Sequence, residues 1–470
     1  MTADTPETVV SRDPAHGTTP CPAGPRSRAG YRSGVPRPSL SRRRLLLGGA
    51  GALAVGAAGA GVALDRARRA EIDLYSATVA FSAPLVRRLV PPSGIESLVP
   101  GTRVVGDSPH AGWLVEDEQA WLDGCARWTR GSGGDDLLRS ALLDLHVLTA
   151  GLPAAVAGWS RRWRYAWPRD VSFVAAALAR AGRPEEAVRQ LAFLQQVQGE
   201  DGWFEARYDV GTGLPPDDRG AQLDGSGWVL WAADQIARHT PDEDPAERLR
   251  PLRPMLVRSA RGLLASLDAT TWLPPASSDY WELVEDTLTL GTAAAVLTGL
   301  RSAASVLPPV GERWLGGRAE SAASVLGRQV RAHFGPDGYP RLLGGSAADA
   351  AISFLVPPIG PTEPDLEVMS ALDRAQTAMS RPAGGLAPGA GWKRDGISWT
   401  PETALFASAW AATGYDEKAE ALLRWLGEHR TAAGSFPEKV LYDGRPAAVA
   451  PLAWTAALVV IARHELVTNR

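Results

Sequence analysis

The chain has 470 residues, 45% of them hydrophobic, so it can bury the core of one large domain or two ordinary ones. Residues 1–70 contain eleven Arg against four acidic residues, whereas the remainder contains 38 basic and 48 acidic residues. The acidic body argues against nucleic acid as a partner. Cys21 and Cys125 are the two cysteines, so neither a disulfide framework nor a cysteine-based metal site is expected. No cofactor is expected.

The N-terminal 70 residues predict export. Residues 1–40 form a basic tail rich in Pro, Gly and Ser, a composition typical of disorder. Residues 41–46, Ser-Arg-Arg-Arg-Leu-Leu, precede an apolar run at 45–64, so 41–70 is interpreted as a twin-arginine signal read by the Tat machinery. A membrane anchor is the alternative, because the run is long enough to span a bilayer and is followed by three Arg. The expected location is extracellular, or membrane-anchored and facing outside.

Helical periodicity dominates the rest of the chain. Residues 71–130 have a mixed pattern and are predicted to form an N-terminal extension that packs on a catalytic domain at 131–470. Alternating strand patterns are scarce, so the predicted class is all-α. Twelve helices are predicted near 135–149, 169–181, 184–198, 220–238, 251–267, 283–305, 316–334, 347–355, 366–380, 401–413, 416–429 and 450–465.

An internal repeat predicts how these helices pair. At one offset of 232 residues, six positions recur with the same residue types: Gly182, Ala187, Leu191, Leu194, Gly202 and Phe204 match Gly414, Ala419, Leu423, Leu426, Gly434 and Phe436. Each copy is an apolar helix, a Gly C-cap and a second helix with one apolar stripe. Such a pair cannot bury its stripe alone, so the twelve helices are predicted to close as six hairpins into an (α/α)6 toroid.

Seventeen Trp residues are several times the ordinary number, and their positions fall into two groups. Those within helices are interpreted as core: Trp228, Trp231, Trp410 and Trp425. Those in loops or at helix ends suit the flat faces of sugars and predict a carbohydrate funnel: Trp163, Trp167, Trp203, Trp281, Trp392 and Trp399.

Glycosidic hydrolysis needs two carboxyl groups, and two segments provide candidates. Glu282 follows Asp279, Tyr280 and Trp281 immediately before a predicted helix, where desolvation and neighbouring acids would raise the pKa of its carboxyl. Glu438 ends the second copy of the repeat in an inter-helix loop. Each segment taken alone has a simpler interpretation. Glu282 could be a partner of the helix dipole, and Glu438 could be a loop residue without a catalytic role.

A third segment, Trp167-Pro168-Arg169-Asp170, places an indole, a guanidinium and a carboxylate at a helix start. This grouping suits hydrogen bonding to vicinal sugar hydroxyls. A structural Asp N-cap with a surface Arg is the alternative.

Together these segments resemble glycoside hydrolase family 15, the glucoamylase-like enzymes, over residues 133–465. The motifs stand in family order: Tyr165-Ala166-Trp167-Pro168-Arg169-Asp170, Gln222-Leu223-Asp224-Gly225, Asp279-Tyr280-Trp281-Glu282, Ala348-Asp349-Ala350, Phe436-Pro437-Glu438 and Pro451-Leu452-Ala453-Trp454.

The resemblance implies a role for each matched position. Glu282 would be the general acid and Glu438 the general base of an inverting reaction, in which the two carboxyls stand about 6.5–9.5 Å apart. Lys439 is expected either to pair with Glu438 or to be solvated. The substrate-binding set consists of a clamp on the terminal sugar (Trp167, Arg169, Asp170), supporting polar positions (Gln222, Asp224, Asp279) and further aromatic positions (Trp163, Tyr165, Trp281, Trp399, Trp454).

Two departures from the family pattern concern the leaving-group side. Residues 71–130 are too short for the β-sandwich domain that precedes the toroid in many bacterial members, so subsites built from that domain would be missing. Residues 392–399 reproduce only loosely the Arg-Tyr and Gly-x-Pro-Trp motifs of the family.

The resulting hypothesis is an exo-acting hydrolase that releases glucose from the non-reducing end of an α-glucan or α-glucosyl disaccharide. The alternatives are a non-catalytic glucan-binding toroid, and a lyase or uronide hydrolase on the same fold. An enzyme that acts on uronides needs a cationic funnel to bind the substrate carboxylate, whereas the motif loops here are acidic. The linkage, α-1,4, α-1,6 or α,α-1,1, is left open by the sequence.

Overall fold

The computed structural model describes residues 72–130, 136–240 and 244–468. The predicted basic tail at 1–40 and the signal or anchor at 41–70 lie outside the described residues. Within the described ranges, no helix has both the length and the apolar character needed to cross a membrane.

The N-terminal extension forms a hairpin and a helix that lie against the later part of the chain. Strands β1 (Thr78–Ala83) and β2 (Val86–Val90) are antiparallel, and helix α1 (Ala111–Asp123), which the mixed sequence pattern did not predict, follows them. Short 3-10 helices occupy Pro92–Ser97 and Arg127–Arg130.

Helices dominate the rest, with an outer helix preceding each inner element. The α-helices are α2 (Asp136–Thr149), α3 (Pro168–Arg180), α4 (Pro184–Val197), α5 (Asp224–Arg238), α6 (Pro245–Leu249), α7 (Arg253–Ser266), α8 (Leu290–Val306), α9 (Arg313–Phe334), α10 (Leu366–Met379), α11 (Thr400–Ala412), α12 (Asp416–Glu428) and α13 (Ala453–Thr468). Further 3-10 helices occupy Arg250–Leu252, Gly335–Asp337 and Ala350–Leu355. Two-residue strands β3 (Phe204–Glu205) and β4 (Ala221–Gln222) pair, as do β5 (Ser398–Trp399), β6 (Lys439–Val440) and β7 (Pro446–Ala447) in one sheet.

Six inner elements close into a ring. In order of contact these are α3, α5, α8, the 3-10 helix Ala350–Leu355, α11 and α13, and α13 returns to α3. Every residue of α3 is buried, whereas the outer helix α4 buries a single stripe. The prediction of an all-α (α/α)6 toroid is confirmed.

Small residues let two inner helices approach closely. A Cβ atom added at Gly227 of α5 would collide with the carbonyl oxygen of Ala295 in α8, and one added at Gly299 of α8 would lie 2.5 Å from the Cα atom of Gly227. The two glycines therefore allow backbone-to-backbone packing of α5 on α8.

The internal repeat is reproduced in three dimensions. Gly182 and Gly414 have φ angles of 78° and 79°, the left-handed conformation of a helix C-terminus. The six stripe positions of the two copies are buried, and so are the two loop phenylalanines: Ala187, Leu191, Leu194, Ala419, Leu423 and Leu426, with Phe204 and Phe436. The Trp residues assigned to the core, Trp228, Trp231, Trp410 and Trp425, are buried as predicted.

Three predicted helices begin later in the structure than the sequence indicated. The helix predicted at 220–238 begins at Asp224, after strand β4. The helix predicted at 283–305 begins at Leu290, where the Thr289 side chain accepts from the Thr292 amide and caps it. The segment predicted as a helix at 347–355 is the 3-10 helix Ala350–Leu355, capped by Asp349. All three predictions extended a helical pattern across residues that are not helical.

A buried charge network joins the extension to the toroid. Asp144 of α2 is fully buried and pairs with Arg103 of the extension, at 2.7 Å to Nη2 and 2.9 Å to Nε. The same carboxylate accepts hydrogen bonds from the Ser435 hydroxyl at 2.7 Å and the Phe436 amide at 2.9 Å. Asp144 therefore holds both the extension and the loop that leads to Glu438.

Substituting Asp144→Ala is expected to lower the free energy of unfolding by about 3–5 kcal/mol, because it leaves the Arg103 guanidinium buried without its counter-charge. The measurement is the urea unfolding midpoint. Asp136→Ala is the matched control on the same helix, since its ion pair with Arg430 is exposed and contributes about 0–1 kcal/mol. Equal effects of the two substitutions would contradict a structural role for the Asp144 network.

Candidate active site

A cavity of about 710 Å³ lies at the N-terminal end of the inner helices. Its walls are formed by the segments that precede α3, α5, α8, α11 and α13, with a contribution from the extension. The lining residues are Ile72, Tyr75, Ala157, Arg162, Trp163, Trp167, Arg169, Asp170, Arg207, Arg219, Tyr280, Trp281, Glu282, Pro388, Trp392, Trp399, Pro401, Glu402, Glu438, Lys439, Leu452 and Trp454.

The cavity brings together most of the residues that the sequence marked as a site. Both glutamates and seven of the predicted substrate-binding residues line it: Glu282, Glu438, Trp163, Trp167, Arg169, Asp170, Trp281, Trp399 and Trp454. The remaining four, Tyr165, Gln222, Asp224 and Asp279, do not line it.

Glu282 is held in a turn and not at a helix start. Its amide donates to the Asp279 carbonyl at 2.8 Å, and its φ angle is 57°, a left-handed conformation that costs a non-glycine residue free energy. Helix α8 begins only at Leu290, so the predicted placement of Glu282 immediately before a helix is wrong. The interpretation of Glu282 as a helix-dipole partner therefore does not apply.

Two arginines contact the Glu282 carboxylate. Arg219 Nη1 lies 2.9 Å from Oε2, and Arg169 Nη1 lies 3.6 Å from Oε1. Burial raises the pKa of the Glu282 carboxyl, while Arg169 and Arg219 lower it. Because burial prevails, the environment favours the protonated form that a general acid needs.

Glu438 stands in a different set of contacts, at the start of the β5–β6–β7 sheet. Trp163 Nε1 donates to its Oε1 at 3.3 Å, and Lys439 Nζ lies 3.2 Å from its Oε2. The backbone is fixed on both sides, since the Glu438 amide donates to Val449 at 2.8 Å and its carbonyl accepts from Thr400 at 3.1 Å. Lys439 thus forms the ion pair with Glu438, which was one of the two alternatives that the sequence left open.

Arg169 and Asp170 form a buried pair at the start of α3. Arg169 Nη2 lies 2.8 Å from Asp170 Oδ2, and the two residues are 9% and 3% exposed. The guanidinium stacks over Trp454 at 4.5 Å. Since the N-cap residue of α3 is Trp167, the alternative of an Asp N-cap with a surface Arg is wrong.

The predicted residues that do not line the cavity lie behind it. Asp279 is fully buried and accepts two hydrogen bonds from Arg341, whose guanidinium lies 3.7 Å from the Trp281 ring centroid. Asp224 accepts from Trp228 at 3.2 Å, and burial raises its pKa to about 7. These contacts fit the supporting roles expected for Asp279 and Asp224.

Gln222 and Tyr165 have other surroundings. Gln222 is buried in strand β4, where it pairs with Phe204. Tyr165 packs edge-on against Trp167, with ring centroids 6.3 Å apart.

Three indoles form one aromatic wall. Trp392 stands edge-on to both Trp281, at 4.6 Å, and Trp399, at 5.6 Å. The Nε1 atoms of these three residues and of Trp454 are buried and have no hydrogen-bond partner among the described residues. The wall therefore combines flat apolar faces with unused donors, which suits a sugar. Trp203, predicted for the same funnel, packs against the main core instead.

Several cavity residues were not predicted from the sequence. Glu402, in the first turn of α11, and Arg219, which contacts Glu282, carried no local signal. Tyr75 of the extension packs against Trp163 at a tilt of 46°, with ring centroids 5.2 Å apart, so the extension supplies part of the wall. The segment is held in place because the Tyr75 amide donates to Ala448 at 3.0 Å.

The cavity is of mixed charge and not simply acidic. Five cationic side chains line it, Arg162, Arg169, Arg207, Arg219 and Lys439, against four carboxyls, Asp170, Glu282, Glu402 and Glu438. The expectation from the acidic motif loops missed the arginines that other loops contribute. Arg219 pairs with Glu282 and Lys439 with Glu438, whereas Arg169 contacts both Asp170 and Glu282.

The chain is similar in sequence to a curated protein that is named for the hydrolysis of a sugar. Isomaltose glucohydrolase of Kribbella flavida is 26% identical over 373 residues, which cover 69% of this chain and 91% of that protein. No protein-family model matches the chain.

Solved structures share the fold. A glycosidase in complex with glucose has a TM-score of 0.60 at 23% identity, covering 70% of this chain and 96% of that one. A bacterial glucoamylase complexed with acarbose has a TM-score of 0.64 at 17% identity, covering 77% of this chain and 60% of that one. These two structures show that the fold is shared, and together with the sequence relative they give the chain a glucoamylase-like resemblance.

Proposed function

We propose that this glucoamylase-like chain is an inverting, exo-acting glycoside hydrolase that releases glucose from the non-reducing end of an α-glucan or an α-glucosyl disaccharide. The observation that carries the proposal is that Glu282 and Glu438 line one Trp-walled cavity but have separate contacts. The Kribbella flavida relative, an isomaltose glucohydrolase by name, supports glucose as the sugar released.

The different contacts of Glu282 and Glu438 suggest which of them acts as the acid and which as the base. Glu438, paired with Lys439, accepts a proton from a water molecule as that water attacks the anomeric carbon. Glu282 donates its proton to the glycosidic oxygen as the bond to the leaving group breaks. Arg169 and Asp170 hold hydroxyls of the terminal sugar, and the buried surroundings exclude bulk water.

An exo-acting enzyme leaves a distinctive product pattern. We expect glucose as the sole sugar released at early times from maltotriose and isomaltotriose, with the shortened disaccharide as the other product. Maltose, isomaltose and trehalose, tested in parallel, identify the linkage. Chromatography of the products at a few per cent conversion is the measurement. Release of larger oligosaccharides from soluble starch would contradict exo action, and no release from any substrate would favour a glucan-binding protein or another chemistry.

We also propose that the chain is exported by the Tat route and acts outside the cell or anchored to the membrane. The support is the segment Ser-Arg-Arg-Arg-Leu-Leu at 41–46 with its apolar run. Retention in the cytoplasm of cells that lack the twin-arginine translocase is the expected signature, and unchanged export there would contradict the route.

A further inference from the structure

A third carboxyl group in the cavity has no part in the two-glutamate reaction. Glu402 is 3% exposed yet lines the cavity, together with its neighbour Pro401. Its Oε2 atom is buried and has no hydrogen-bond partner among the described residues. A buried polar atom without a partner costs free energy, so its retention at a cavity wall points to a ligand group.

The start of helix α11 fixes Glu402 relative to the proposed base. Thr400, two residues before Glu402, donates its amide to the Glu438 carbonyl at 3.1 Å. Its hydroxyl contacts the Thr455 hydroxyl of α13 at 2.7 Å. The backbone that carries Glu402 is therefore positioned by the same contacts that position the Glu438 loop, and the side chain is buried there.

We propose that Glu402 is a substrate-binding residue whose neutral carboxyl donates a hydrogen bond from Oε2 to a hydroxyl of the terminal sugar. The inference rests on the proposed function, because it takes a sugar as the occupant of the cavity. An ionised carboxylate can only accept hydrogen bonds, whereas a protonated carboxyl has an O–H group that can donate to the oxygen of a sugar hydroxyl.

The charged groups around Glu402 support a neutral carboxyl. Arg169 of α3, Glu438 before β6 and Asp349 before the Ala350–Leu355 helix act on it. Burial raises the pKa of Glu402 to about 8; Arg169 lowers it, while Glu438 and Asp349 raise it further. The carboxyl is accordingly protonated below that pH, and it loses its donor as the pH rises above about 8.

The test is glucose binding, followed by calorimetry or Trp fluorescence between pH 5 and 9.5. For the wild type, the Kd for glucose should rise more steeply above pH 8 than it does in Glu402→Gln, whose amide keeps a donor at every pH. Glu402→Gln should bind within about threefold of the wild type at pH 6, whereas Glu402→Leu should weaken binding about tenfold or more.

Matched controls separate the possible failures. Glu367→Gln lies in the first turn of α10 on the surface and should leave glucose binding unchanged. Thermal unfolding checks that the Glu402 variants fold. If Glu402→Leu does not fold, the pH dependence of glucose binding by Glu402→Gln still decides.

Glucose binding of wild-type strength by Glu402→Leu would overturn the inference, and so would an unaltered pH dependence of binding in Glu402→Gln. Loss of turnover in Glu402→Gln with binding retained would also overturn it, since Glu402 would then transfer a proton. Absence of glucose binding by the wild type itself would instead count against the proposed function.

Discussion

Glu438→Gln should lose activity by about 10³- to 10⁴-fold in kcat, because the amide cannot accept a proton from the attacking water. The contacts of Glu438 allow this substitution without rearrangement of the backbone, which is held by Val449 and Thr400. KM should change little, because the loss falls on the transition state. Initial rates on the preferred disaccharide are the measurement.

A small anion provides a second readout for Glu438. In Glu438→Ala, azide can enter the space left by the carboxylate and attack the anomeric carbon directly, so azide should restore part of the activity and yield the β-glucosyl azide. Asp443→Asn is the control, because that carboxylate is exposed in the adjoining turn and pairs with Arg445. Full activity of Glu438→Gln would remove Glu438 from the reaction.

Glu282→Gln should lower kcat/KM for a disaccharide by about 10²- to 10⁴-fold, because no proton reaches the departing oxygen. The loss should be much smaller for α-glucosyl fluoride, whose leaving group needs little protonation. This difference between substrates distinguishes a missing acid from a misfolded site. Asp286→Asn, an exposed carboxylate in the same loop, is the matched control.

The pH profile has a matching expectation. Burial raises the pKa of Glu282, and the reaction needs its protonated form, so the wild-type rate should fall as the pH rises through that pKa. The rate of Glu282→Gln on the fluoride should lack this alkaline limb. An equal loss on fluoride and disaccharide would contradict the assignment of Glu282 as the acid.

Most of the fold could be predicted from the sequence, because helices and their C-terminal glycines leave periodic, local sequence patterns. The repeat predicted a C-terminal glycine and a buried apolar stripe in each copy. Gly182 and Gly414 have the left-handed conformation, and the stripe residues that follow each of them are buried. The boundary of α8 was missed because apolar residues near Leu283 continue the helical pattern, while the actual start depends on the Thr289 cap. Periodicity does not reveal which residue will cap a helix.

The site was predictable where motifs are contiguous, and not where distant segments converge. Trp167, Arg169 and Asp170 adjoin in sequence and also in the cavity. Arg219 and Tyr75 reach the cavity through loops whose sequences give no indication of it. Glu402 is a further case: a Glu in a first helical turn is ordinarily a solvated dipole partner, and only its burial marks it as unusual.

The anomer of the first glucose released is the most direct test of whether Glu282 and Glu438 act as an inverting pair. Proton NMR of the reaction with the preferred substrate, recorded faster than mutarotation, should show β-glucose appearing first from an α-linked substrate. Neither Glu282→Gln nor Glu438→Gln should produce that signal at a comparable rate. α-Glucose appearing first would contradict the account, because retention requires a covalent intermediate and a different role for the second carboxyl.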